Sequence, residues 1–161
     1  FCKIYIMKLI SFFSFFSFSS ILVLNRFICT TSYKHKDIYR YRSVKRKEYK
    51  DKMKYTGFVQ DHHCIPKQWK DHYLLHELDY DINSSKNLLI MLNKKGLKHF
   101  HVHPDTLLHE GGHVAYNYYV KKQLDYIANH KEMDEKKYLF WLLLHHLKKN
   151  MTINKDKIPW K

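Results

Sequence analysis

The sequence Asp61-His62-His63-Cys64-Ile65-Pro66 decides how the rest of this chain is interpreted. Successive side chains of an extended strand point to opposite faces, so His62 and His63 present one imidazole to each side of the backbone. One ring is then available to bind a metal ion while its neighbour faces a substrate. Pro66 stiffens the exit from this segment, because its ring restricts φ. We therefore expect a strand over residues 56–64 that ends at the histidine pair.

A second pair of histidines lies in His109-Glu110-Gly111-Gly112-His113. On a helix, a spacing of four residues places both rings on one face, about 5–6 Å apart at Cβ, where they can share one ion. Two glycines inside a helix cost about 1 kcal/mol each relative to alanine. The two glycines fit better at a junction between a loop and a helix. We expect this helix to continue from His113, with one face that carries Tyr116, Val120, Leu124 and Ile127.

The remaining pattern predicts short elements and one further helix. Asp134 is a plausible N-cap for that helix, whose apolar side chains at Phe140, Leu143, Leu144 and Leu147 we expect to face a core. The other predicted elements are a helix over residues 68–75, a strand over 87–92, a basic loop over 94–98, and an extended arm carrying His99, His101 and His103.

Three motifs follow one another in a specific order and spacing: His62-His63-x-Ile65-Pro66, then Tyr80-Asp81-Ile82-Asn83-x-x-x-Asn87-Leu88, then His109-x-Gly111-Gly112-His113-x-x-Tyr116-Asn117. Together they resemble the AHH branch of the HNH/endonuclease VII nucleases. The resemblance covers about residues 58–125. It departs from the family at Asp61, where the branch typically has alanine, and this makes Asp61 a candidate additional ligand or a group that supports one.

The resemblance implies an α+β fold, mostly helical, with a ββα-metal core and additional packing helices. It implies one divalent ion (Mg²⁺, Mn²⁺, Zn²⁺ or Ni²⁺) held by His62, His109 and His113. It further implies that His63 is the catalytic general base. The resemblance also implies that Asn87 is the second catalytic residue, which either orients the loop carrying His63 by hydrogen bonding or, as in endonuclease VII relatives, ligates the metal.

The composition is consistent with a polyanionic partner. The net charge is +14 and the sequence pI is about 9.6, which suits nucleic acid or an anionic membrane surface. AT-rich coding, which favours lysine, explains the excess equally well. We expect nucleic acid as the partner, with double-stranded DNA as the substrate, contacted by Lys67, Lys94, Lys95, Lys121 and Lys122.

The chain divides into four predicted regions: a hydrophobic leader at residues 1–32, a basic linker at 33–55, an HNH-type nuclease domain at 56–149 and a basic tail at 150–161. Ten basic against three acidic residues give positions 33–54 half of the net charge. The leader is a cleaved signal, a short signal-anchor or non-native translation. If residues 7–28 are a genuine signal, the protein is secreted or membrane-anchored, and membrane contact is confined to this segment.

The predicted activity is metal-dependent hydrolysis of phosphodiester bonds in DNA, or alternatively RNA. Two other classes stay open: an H-E-x-x-H zinc metalloprotease using His109, Glu110 and His113, and a non-catalytic basic protein that binds nucleic acid. The letters Asp61-His62-His63-Cys64 also match the signature of protein palmitoyltransferases. That class is excluded because the three cysteines provide no Cys-rich zinc framework around Cys64.

Overall fold

The computed structural model of this protein describes residues 36–152 and 157–160. The predicted leader, residues 1–32, lies outside the described residues. The described part has an α+β architecture, about half helical, which confirms the predicted α+β class. In chain order its elements are α1 (Val44–Lys52), β1 (Val59–His63), α2 (Tyr73–Glu77), β2 (Leu88–Leu92), α3 (Lys94–His99), α4 (Val114–Ala128) and α5 (Met133–Thr152), with 3₁₀ turns at Lys67–Trp69 and Ser85–Asn87.

The sheet consists of β1 and β2, which pair antiparallel with His62 opposite Leu89 and His63 opposite Leu88. The predicted second strand is thus confirmed. The first strand is shorter than expected because the chain turns before it: the backbone N–H of Phe58 donates to Tyr55 O at 2.9 Å. The histidine pair stands at the end of β1, as the sequence predicts.

The predicted helix over residues 68–75 is divided into a 3₁₀ turn and α2. His72 separates them, because its Nδ1 accepts a hydrogen bond from the Leu74 N–H at 3.3 Å and so caps α2. A side chain that accepts from the first free N–H groups starts a new helix rather than extending the previous one. The other ring nitrogen of His72 lies 3.0 Å from Asp125 Oδ1 on α4, which joins α2 to α4.

The predicted basic loop over residues 94–98 is wrong, because these residues form α3. Asn93 caps this helix by accepting a hydrogen bond from the Gly96 N–H at 2.9 Å. Gly96 meets the backbone closely: a Cβ at this position would lie 2.1 Å from Phe58 O. The extended arm is also wrong at its start, since His99 is helical and stacks on Phe58 with ring centroids 3.9 Å apart.

The core lies between the helices and the end of β1. Both predicted apolar faces are buried, that of α4 with Tyr116, Val120, Leu124 and Ile127, and that of α5 with Phe140, Leu143, Leu144 and Leu147. Cys64 and Ile65, directly after the histidine pair, are completely buried in the same cluster. The N-cap prediction for α5 is wrong by two residues: the helix begins at Met133, and Asp134 lies in its first turn, where a negative charge is favourable.

Two segments expected to flank the domain contact it. Arg46 of α1 is buried, and its guanidinium lies 2.8 Å from Asp61 on β1. Ile158 and Trp160 are buried in the hydrophobic cluster that contains α4 and α5 residues. Among the described helices, none has both the length and the apolar character needed to cross a membrane.

Candidate active site

Three histidines from different parts of the fold converge. His62 comes from β1, His113 is the N-cap of α4, and His109 belongs to the loop before it. One ligand nitrogen of each lies within 4.8 Å of those of the other two. The ring centroids are 5.1 Å apart for His62 and His109, and 5.8 Å apart for His62 and His113. This is the cluster that the sequence nominates as the ligand set.

The unpaired nitrogens of this cluster fit a metal ion. The Nε2 atoms of His62 and His113 are buried and have no hydrogen-bond partner among the described residues. A buried polar atom without a partner costs roughly 1–3 kcal/mol, so such atoms are uncommon unless a ligand satisfies them. Imidazole nitrogens suit Zn²⁺, Ni²⁺ and other borderline divalent ions. The residues present therefore fit one divalent ion.

The electrostatics of the cluster favour neutral imidazoles. Burial, together with the nearby imidazoles of His109 and His113, lowers the pKa of His62 to about 3. Burial likewise lowers the pKa of His109 and that of His113. A histidine binds metal only in its neutral form, and at neutral pH these three rings are in that form.

His109 reaches the cluster from a loop. The helix α4 begins at Val114, so His109 and His113 are not stacked on successive helical turns as their spacing suggests. The backbone N–H of His109 donates to Leu92 O at 2.9 Å, which holds it at the end of β2. Gly111 has φ +70°, a left-handed conformation that glycine adopts without strain. The glycine pair thus supplies the junction between loop and helix that its composition predicts.

The same loop removes the basis of the metalloprotease alternative. An H-E-x-x-H site needs both histidines and the glutamate on one regular helix, and this segment is not helical. The Glu110 carboxylate instead lies 3.1 Å from Lys94 Nζ.

His63 occupies the opposite face of β1 from His62. Its ring meets the edge of Tyr41 with centroids 4.6 Å apart, and its Nε2 lies 3.4 Å from Asn83 Oδ1. Burial lowers the pKa of His63; the hydrogen bond to Asn83 opposes this effect, and nearby Lys67 reinforces it. At neutral pH the ring is consequently neutral and able to accept a proton.

Asn87 supports the turn that follows the histidine pair. Its side chain is fully buried. The amide oxygen accepts from the Ile65 N–H at 2.7 Å, and the amide nitrogen donates to Ile65 O at 3.0 Å and to Ile82 O at 2.8 Å. Both ends of the amide are committed to the backbone, which favours the orienting role considered for Asn87 over direct ligation.

Comparison with known proteins identifies the family. A family model described as a nuclease family of the HNH/ENDO VII superfamily with conserved AHH matches residues 43–140. The chain belongs to the AHH nuclease family. No curated protein and no solved structure matched it.

Asp61 stands where this AHH nuclease departs from the family motif. Its carboxylate lies 2.8 Å from Arg46 Nη2 and 3.0 Å from Lys50 Nζ, both on α1. It is not part of the three-histidine cluster. The additional acidic residue therefore anchors the basic helix α1 to the sheet.

The five lysines expected to contact nucleic acid lie on three elements: the 3₁₀ turn at Lys67–Trp69, α3 and α4. Lys67 is exposed beside the His63 face, with its Nζ 4.4 Å from the centroid of the Tyr41 ring. Lys94 and Lys95 are exposed on α3, and Lys94 lines an open cavity of about 670 Å³ together with His109. Lys121 and Lys122 lie about two turns along α4 from His113. Lys121 pairs with Asp125 at 2.7 Å, and Lys122 lies over the Tyr118 ring.

Two residues of the site were missed by sequence reasoning. Tyr41 lies in a stretch of interleaved basic and aromatic residues that carries no distinguishing signal for a contact with His63. Trp160 lies in a short basic segment, yet its ring centroid is 4.0 Å from that of His113 and 5.1 Å from that of His62. A lone tryptophan near one end of a sequence does not reveal which residues it will contact.

Proposed function

We propose that this AHH nuclease is a metal-dependent DNA endonuclease whose general base is His63 and whose divalent ion is held by His62, His109 and His113. In this proposal β1, β2 and α4 form the ββα-metal core. The observation that carries it is the convergence of three imidazoles, two of them buried with an unpartnered Nε2, next to a neutral histidine on the opposite face of the same strand.

In this proposal one face of β1 carries the general base and the other face carries a metal ligand. His63 accepts a proton from the attacking water, because its buried ring is neutral at the pH of the reaction. Asn83, whose Oδ1 lies 3.4 Å from His63 Nε2, orients the ring. Asn87 fixes the backbone immediately after the pair. A bound divalent ion supplies charge neutralisation at the phosphate and stabilises the leaving oxygen.

The exposed lysines favour a polyanionic backbone as the substrate. Lys67 is close enough to His63 to lower the pKa of its ring, and Lys94 lines a cavity together with His109. Cationic side chains bind phosphates without reading bases. We therefore propose cleavage of duplex DNA with little sequence preference, weakened strongly by added salt.

A plasmid-nicking assay tests the proposal. Wild-type protein with Mg²⁺, Mn²⁺, Zn²⁺ or Ni²⁺ should convert supercoiled to open-circular DNA, and EDTA should stop the reaction. His63→Ala should slow nicking by about 10²–10⁴-fold, the usual contribution of a general base, while metal binding by calorimetry is retained. His113→Ala should lose both properties. The exposed His145 on α5 provides the matched control, and His145→Ala should nick at the wild-type rate.

Three outcomes would contradict the proposal. Absence of nicking with all four ions would refute the proposed endonuclease activity. Unchanged nicking by His63→Ala would refute the role of His63 as the general base. Retarded migration of DNA without cleavage would identify a binding protein instead. Single-stranded RNA in the same assay separates a ribonuclease from a DNase.

A further inference from the structure

The segment 157–160 reaches the metal cluster, although it lies outside the region that matches the family model. Trp160 is buried, and its ring centroid is 4.0 Å from His113, 5.1 Å from His62 and 5.4 Å from Tyr116. Its indole Nε1 donates to Leu108 O at 3.3 Å. Leu108 directly precedes His109. Trp160 therefore touches each of the three segments that carry a candidate ligand.

The backbone of Trp160 also determines which nitrogen of His113 carries a proton. The Nδ1 of His113 lies 3.2 Å from Trp160 O. A carbonyl oxygen only accepts, so Nδ1 must donate and must be protonated. In the neutral ring the lone pair then belongs to Nε2, which is the buried atom without a partner. Hydrogen bonding of one ring nitrogen to a carbonyl is the usual way in which proteins orient a metal-binding histidine.

The indole and the carbonyl act on the same ring from different sides. The indole packs against His113 at an interplanar angle of 39° and restricts its rotation. The carbonyl selects the tautomer. The bond from Nε1 to Leu108 O restrains the loop that presents His109, a loop whose glycines otherwise give it freedom.

We propose that Trp160 is a positioning residue of the metal centre: its carbonyl sets the ligating tautomer of His113 and its indole holds the His109 loop and the His62 ring in place. The proposal rests on the metal site of the proposed function and not on DNA cleavage. It assigns to the segment 157–160 a role in completing a site whose ligands all lie within the family match.

Metal affinity is the first measurement. Zn²⁺ and Ni²⁺ titrations by calorimetry should show that Trp160→Ala weakens binding about 10–100-fold, as loss of a group that orients a ligand commonly does. Trp160→Phe keeps an aromatic ring against His113 and should lose less. The matched control is Met151→Ala, which removes a buried core side chain from α5 outside the histidine cluster. It should lower thermal stability while leaving the metal affinity unchanged.

Two spectroscopic readouts distinguish positioning from general stability. In the metal-free protein, ¹⁵N shifts of His113 should report a protonated Nδ1. Trp160→Ala keeps the backbone carbonyl but loses the indole contacts that anchor it, so the other tautomer should appear beside the first. A chain with Trp69→Phe and Trp141→Phe retains only Trp160 of the three tryptophans. Its fluorescence should be quenched on addition of Ni²⁺. A chain retaining only Trp141, which contacts Tyr80 and Phe140 instead, should be quenched much less.

Equal metal affinity of Trp160→Ala and wild type would overturn the proposal, and so would a His113 ring in the metal-free wild type that carries its proton on Nε2. Loss of affinity in Met151→Ala to the same degree would also overturn it, because general loosening would then explain both. If Trp160→Ala binds metal weakly but the wild type never cuts DNA, the positioning role stands and the proposed nuclease activity is refuted.

Discussion

Replacing Asp61 with alanine restores the family residue at this position, and we expect it to destabilise this protein. The Asp61 side chain is 7% exposed and pairs with Arg46, which is 9% exposed, and with Lys50, which is 22% exposed. Removing one partner of a buried ion pair costs about 3–5 kcal/mol, because the other charge is left buried and unpaired. Lys50 retains access to water, so Arg46 accounts for most of this cost.

The expected loss is a large part of the total stability. Domains of this size have unfolding free energies of roughly 5–15 kcal/mol, so a loss of about 3 kcal/mol should lower Tm by roughly 10 °C. Circular dichroism during urea and thermal unfolding measures both quantities. The double variant Asp61→Ala with Arg46→Met should recover most of the loss, because it removes the buried guanidinium and keeps an apolar side chain of similar length.

The matched control is Lys45→Ala on the same helix. Lys45 and Glu48 form an exposed pair at 2.8 Å, and exposed pairs contribute little. This variant should unfold at the wild-type midpoint. The reasoning is refuted if Asp61→Ala is no less stable than Lys45→Ala, or if the double variant is as unstable as Asp61→Ala alone.

Three further predictions concern the stability of the Asn87 and Gly96 variants and the effect of a bound metal ion. Asn87→Leu should cost roughly 2–4 kcal/mol in urea unfolding, because it leaves backbone groups of Ile65 and Ile82 without their side-chain partner; a midpoint close to wild type would contradict this. Gly96→Ala should cost about 1–3 kcal/mol, because its Cβ meets Phe58 O, whereas Gly112→Ala has open space and should be nearly neutral. An ion at 100 times its Kd should stabilise wild type by about 2.7 kcal/mol, seen as a higher Tm that EDTA reverses and that His62→Ala abolishes.

The sheet and the two long helices were predictable because their signals are regular and local. Tyr116, Val120, Leu124 and Ile127 repeat every three or four residues, and all four are buried on α4. The apolar run from Leu88 to Leu92 is short and flanked by turn residues, as a buried strand requires. The ligand set could be nominated because three motifs occur in a fixed order, and the structure brings the three nominated histidines together.

The errors arose where one local signal was outweighed by another or by tertiary contacts. The lysines of residues 94–98 suggested a loop, but the Asn93 cap begins a helix and Gly96 allows it to approach Phe58. The glycine pair, by contrast, correctly predicted a junction between a loop and a helix. The backbone bond from His109 to Leu92 and the positive φ of Gly111 form the turn at this junction. Tertiary contacts of this kind depend on the whole fold, so no sequence window contains them.

The alternation of β1 explains why the surroundings of the histidines come from distant segments. Asp61 and His63 share one strand face, and the segment containing Tyr41 and α1 covers it. His62 lies on the other face, against α4 and Trp160. A two-stranded sheet has too little surface to bury two imidazoles by itself. Each imidazole is therefore buried by a segment outside the strands, and this burial lowers its pKa. A substitution in either segment should disturb one histidine while leaving the other in place.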